Sequence, residues 1–140
     1  MAGGNGLKGL EELLDKWKDG VSRTKEAFLR LKRYLEGLSE TKLSFKARPG
    51  VSYSLRAAHE RQRDRELFVM VDIIDDDPSN RWLSVCFYRD MISDPEQRGD
   101  EVPGGLLGQD ACCFDIDEWD EELISYVEAR IGEAHSHASK

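Results

Sequence analysis

The stretch LFVMVDIIDDDPSNRWLSVCFY, residues 67–88, decides how this chain folds. Leu67 to Ile74 is apolar at almost every position and stops at Asp75-Asp76-Asp77-Pro78-Ser79-Asn80, where carboxylates, a proline and an asparagine mark a turn. Trp82 to Tyr88 then alternates, with Leu83, Val85 and Phe87 on one face. The two runs predict neighbouring strands of a sheet, the first of them central and buried on both faces.

The flanking segments extend that sheet. Leu43, Phe45 and Ala47 alternate against Lys42, Ser44, Lys46 and Arg48; Pro49-Gly50 signals a turn; Val51, Tyr53 and Leu55 then alternate against Ser52, Ser54 and Arg56. This is the pattern of a hairpin, followed by a polar loop from His59 to Arg65. Ala111 to Ile116 reads as a fifth strand before a C-terminal helix. Asp117 is placed to cap that helix, acidic residues suit its first turns, and Trp119, Leu123, Ile124, Val127 and Ile131 form its apolar face before Gly132.

The first forty residues are helical in period. Leu7, Leu10, Leu14, Trp17, Val21, Thr24, Phe28, Leu31, Leu35 and Leu38 recur at spacings of three and four, and only Thr24 among them is polar. One unbroken helix here would run about 48 Å, longer than the roughly 37 Å diameter of a compact chain of this length. Either the overhang is buried against another subunit or, the favoured reading, the stretch breaks at Asp19-Gly20 with Ser22 capping the second piece, giving helices over Leu7–Asp19 and Ser22–Leu38. The predicted class is α+β: two N-terminal helices, an antiparallel sheet of about five strands and a C-terminal helix, with the helices mainly on one sheet face.

Composition agrees with a single domain over residues 1–140, with residues 1–6 and 133–140 expected to be flexible termini. The chain is 39% hydrophobic and 34% charged, and a length of 140 residues supports a core without disulfides or a structural metal. No run approaches the roughly 18 apolar residues of a membrane span, and the polar start does not resemble a signal peptide. Three cysteines without an export signal lead to an expectation of reduced thiols in the cytoplasm.

Charge is unevenly spread. Residues 1–70 carry 15 Lys plus Arg against 10 Asp plus Glu, whereas residues 71–140 carry 5 against 18. Duplex nucleic acid is a poor partner for such a chain, because its acidic half repels phosphate. No ribonucleoprotein motif argues for single strands.

The face turned away from the helices is expected to show Lys46, Arg48, Ser52, Ser54, Arg56, Phe68, Met70, Trp82, Cys86 and Tyr88. Arg48 and Arg56 there are candidates to hold an anionic group, and Trp82 and Tyr88 to stack on an apolar or planar one. Arg89 to Asp110 is the longest irregular segment. It includes a capping-box pattern at Ser93-Asp94-Pro95-Glu96, and Gly104 and Gly105 as candidates for a flexible binding loop.

Metal and nucleophile patterns are weak. The acidic runs lack the ladder of a calcium loop, and adjacent Cys112 and Cys113 point to opposite faces, which disfavours a shared zinc. His59, the one histidine outside the tail, with Cys113 and a carboxylate is the nearest approach to a catalytic set. The expectation is therefore a non-enzymatic binding or interaction domain without a cofactor. Its partner is an unknown protein or small molecule, docked on the open sheet face and the 89–110 loop. The alternatives are a small hydrolase or transferase with its site in the same region, and a structural subunit that self-associates, as a homodimer, through residues 7–38.

Overall fold

The computed structural model describes residues 7–140, so the expected flexibility of residues 1–6 lies outside the described residues. Helices α1 (Lys8–Lys16) and α2 (Thr24–Glu36) precede strands β1 (Thr41–Arg48), β2 (Ser52–His59), β3 (Val69–Ile74) and β4 (Trp82–Tyr88). A short 3-10 turn (Arg89–Met91), strands β5 (Asp100–Leu106) and β6 (Gln109–Ile116), and helix α3 (Glu121–Ala138) complete the order. All neighbouring strands are antiparallel, in the order β1-β2-β3-β4-β6-β5. The α+β class is as the sequence predicts, with six strands instead of about five.

The sixth strand, β5, lies inside the segment read as irregular. Its sequence, DEVPGGL, has no alternation to detect, because it is an edge strand that tolerates a proline and two glycines and carries a register irregularity between Val102 and Leu106. Leu107 and Gly108, both at positive φ, close the β5–β6 hairpin in the manner of a type I′ turn. No helix forms at Ser93-Asp94-Pro95-Glu96. The Asp94 carboxylate instead accepts from the backbone N–H groups of Arg98 and Gly99, which folds the segment into a turn.

The N-terminal stretch is broken between Lys16 and Thr24, as the favoured reading has it, but the cap is not Ser22. Both carboxylate oxygens of Asp19 reach forward to the Lys25 and Glu26 N–H groups, satisfying donors at the start of α2. Thr24, the one polar member of the stripe, donates to the Arg81 carbonyl at 2.7 Å and so ties the start of α2 to the start of β4. The cap of α3 is Asp120, whose side chain accepts from Leu123 N–H, where Asp117 was expected. That helix also runs past Gly132 to Ala138 with Ala134 and Ala138 buried, so residues 133–138 are not a frayed tail.

One side of the sheet faces the helices. Leu55, Ala57, Val71, Ile73, Leu83, Val85, Phe87, Phe114 and Ile116 are buried there against Leu10, Phe28, Leu31, Leu35, Ile124, Val127 and Ile131. Phe87 and Phe114 meet edge to face at 5.8 Å. Arg30 fastens α2 to α3 through Glu121 and Glu128, and these carboxylates hold its proton more firmly than usual. The apolar stripe of residues 7–38 is thus largely consumed in the chain's own core, although Val21 projects fully into solvent.

Candidate functional site

Among the described residues no helix covers the opposite side of the sheet, and the strand register assigns its side chains row by row. Arg48, Ser52, Ile74 and Trp82 form one row across β1 to β4. Lys46, Ser54, Asp72, Ser84 and Asp115 form the next. Ser44, Arg56, Met70, Cys86, Cys113 and Asp100 form the third, and Tyr88, Ala111 and Val102 lie in the fourth. Met70, Asp72, Ile74, Trp82 and Ser84 are half-buried, in contrast to the sealed residues between them in sequence. The expectation that β3 is covered on both faces is therefore corrected: its alternate residues are only partly shielded.

Charge is segregated on this face. Lys42, Lys46, Arg48 and Arg56 occupy β1 and β2, while Asp115 and Asp100 occupy β6 and β5. Among the described residues none of these six has an oppositely charged partner within 4.0 Å, although Arg30, Arg65, Arg81 and Arg89 elsewhere are all paired. Arg48 and Arg56 lie down on the sheet, donating to Ser52 and Ser54 hydroxyls at 3.4 and 3.1 Å, which is why those serines are buried. Burial, and then repulsion from Asp100 and Asp117, pushes the Asp115 carboxyl above its ordinary range. Burial also raises Asp72, whose Oδ1 has no hydrogen-bond partner, with Ser54, Arg56 and Arg48 opposing the shift only in part.

The candidate residues do not converge on one pocket. Arg48 and Trp82 share a row, and Arg56 lies two rows away on β2. Trp82 and Tyr88 sit at opposite ends of β4, about 20 Å apart at the usual strand rise, too far to grip one small planar ligand. Tyr88 is also not available for stacking. It is 2% exposed, beneath the Arg65 guanidinium 4.1 Å from its ring centre, and Arg65 is itself held by Asp90 and Gln109. Phe68, placed on this face by alternation, is buried outright with its ring edge-on to His135 of α3. Strand β3 begins only at Val69, so alternation does not govern Phe68. Gly104 and Gly105 serve the β5 backbone. Gly104 has φ +68°, and a Cβ on Gly105 would collide with Val102.

Cys86 and Cys113, directly opposite each other in the register with Cα atoms 4.2 Å apart, are joined as a disulfide, while Cys112 is free and buried. This corrects the expectation of three reduced thiols. The spacing of cysteines 27 residues apart did not disclose the pair; the β4–β6 register does. The imagined Cys113–His59 set is not assembled, since the Cys113 sulfur is bonded to Cys86. His59 is buried, its Nδ1 accepting from Arg61 N–H and its ring 4.7 Å from that of His135. Burial, reinforced by Asp94, pushes the Cys112 thiol up to about 11, which keeps it protonated and a poor nucleophile at neutral pH.

Among the described residues no group of three or more His, Cys, Asp or Glu is arranged to hold a metal ion, and no helix is long and apolar enough to cross a membrane. A cleft of about 350 Å³ between the 61–65 loop and the end of α3 is lined by Arg61, Arg63, Arg65 and Lys140, with Asp64 and His137 also in its wall. Arg65 there is already neutralised by Asp90. Neither a known protein family, nor a curated protein, nor a solved structure matches this chain.

Proposed function

We propose that the chain is a non-enzymatic interaction domain that docks a macromolecular partner on the helix-free face of its sheet. The observation that carries this reading is the pattern on that face. A half-buried strip of Met70, Ile74 and Trp82, interrupted by Asp72, is flanked by cations on β1–β2 and carboxylates on β6–β5 that have no ion-pair partner among the described residues. Apolar centres with charged margins are what protein interfaces present, the centre supplying burial and the margins supplying orientation and choice of partner. The breadth of the face favours a protein over a small molecule, because the candidate residues are spread over several rows and strands of the sheet and are not gathered round one point. A cytoplasmic setting is part of the proposal, with the Cys86–Cys113 bridge nearly enclosed within the sheet.

A surface reserved for docking is dispensable for folding. The double variant Arg56→Ala/Trp82→Ala is therefore expected to melt within about 5 °C of the parent, as surface changes in a chain of this size do. A fall as large as that of a core truncation would mean that these residues are packing groups and would overturn the reading.

A further inference from the structure

Resting on the docking reading above, we propose that the occupant of this face is a second copy of the chain, packed sheet to sheet across a twofold axis parallel to the strands. The charge layout selects both the occupant and the axis. A twofold lying in the interface along the strand direction, midway between β3 and β4, reverses the strand order while keeping each row opposite itself. It brings the β1–β2 cations of one copy over the β5–β6 carboxylates of the other, twice, by symmetry. Arg56 then lies opposite Cys113, with Asp115 and Asp100 as its neighbours. Ser44 meets Asp100, Ile74 meets Trp82, Met70 meets Cys86, and Asp72 with its unpartnered oxygen meets the Ser84 hydroxyl. A twofold perpendicular to the strands would instead place cation over cation and carboxylate over carboxylate.

Of the charges without an ion-pair partner among the described residues, Arg56 is thus set beside Asp115 and Asp100 of an identical surface, twice by symmetry. Six strands about 4.8 Å apart and some 20 Å of strand length offer each copy roughly 500 Å², near the lower bound for a specific interface when both copies are counted. An interface of that size belongs with weak, transient contacts, so association is sought at micromolar concentrations.

Sedimentation equilibrium of the full chain from about 5 to 500 µM tests this, with Arg56→Glu and Arg56→Glu/Asp115→Lys alongside. The parent is expected to dimerise. Arg56→Glu should weaken the dimer at least about tenfold, and the double variant, which exchanges the two signs, should recover most of the loss. Circular dichroism confirms that each variant is folded. A parent that stays monomeric throughout overturns the self-association while leaving the face free for a different protein. A dimer that ignores both Arg56→Glu and Trp82→Asp is built elsewhere and overturns self-association through this face, whereas the docking reading itself falls only if Arg56→Ala/Trp82→Ala melts like a core truncation.

Discussion

Ile74 and Trp82 are directly paired across β3 and β4 on the side of the sheet that carries no helix, both half-buried, while their neighbours Ile73 and Leu83, paired on the other side, are sealed. A single-residue alternation thus separates a folding surface from a spare one. Truncation on the two sides should differ accordingly: Leu83→Ala is expected to cost about 2–5 kcal/mol in denaturant unfolding, and Trp82→Ala less than half of what Leu83→Ala costs. Equal losses would place Trp82 in the core.

Asp75 is the one nearly buried carboxylate that pins a turn, accepting from Gly50 N–H at 2.8 Å and from Arg81 Nε at 2.7 Å. Burial alone would raise its pKa, but the Gly50 N–H and the Arg81 guanidinium outweigh it and leave the group below the ordinary range. The stabilisation is therefore complete above the unfolded carboxyl value, about pH 4, and is lost as pH falls through the lower folded value. Asp75→Ala strands Arg81 and should cost about 3–5 kcal/mol at pH 7. In thermal melts across pH, the gap between variant and parent should narrow below about pH 4; a gap that widens there would refute the assignment.

Asp72 has the opposite sign. Its folded value is raised, chiefly by burial, so ionisation opposes folding at neutral pH, and that penalty is relieved as pH falls from the raised value towards the unfolded one. Asp72→Asn should melt a few degrees above the parent at pH 7, with the advantage vanishing near pH 4. A variant less stable than the parent at pH 7 would mean that attraction to Arg48 and Arg56 outweighs burial.

Two glycines separate by environment. A methyl on Gly105 would meet the Val102 side chain and lie 2.9 Å from the Val102 carbonyl oxygen, whereas nothing stands within 4 Å of one on Gly20. Gly105→Ala should cost about 1–3 kcal/mol by urea denaturation and Gly20→Ala no more than about 0.5. Equal effects would contradict the tight β5 packing.

The alternation of residues 43–56 and 82–88 made three strands and the side of each residue legible, because period two leaves little choice once one face is apolar, and the apolar run 67–74 marked a fourth without showing that one of its faces is only partly shielded. β5 was hidden because an edge strand with Pro103, Gly104 and Gly105 carries no period. The caps Asp19 and Asp120 were missed because spacing in sequence shows which residues are able to cap, whereas which one does so depends on the path of the chain. For the site, Arg48, Arg56 and Trp82 were readable from alternation alone. The burial of Tyr88 was not, since it depends on Arg65 folding back from a loop 23 residues earlier, and the Cys86–Cys113 pairing required the β4–β6 register.

Hydroxyl-radical footprinting read by mass spectrometry, at low and high protein concentration, tests most directly whether the helix-free face is a docking surface. Met70 and Trp82 are expected to oxidise readily in dilute protein, while buried Met91 and Phe114 do not, and to become protected as concentration rises. Met70 and Trp82 as unreactive as Met91 in dilute protein would show the face already closed within one protomer, and the docking surface would not exist.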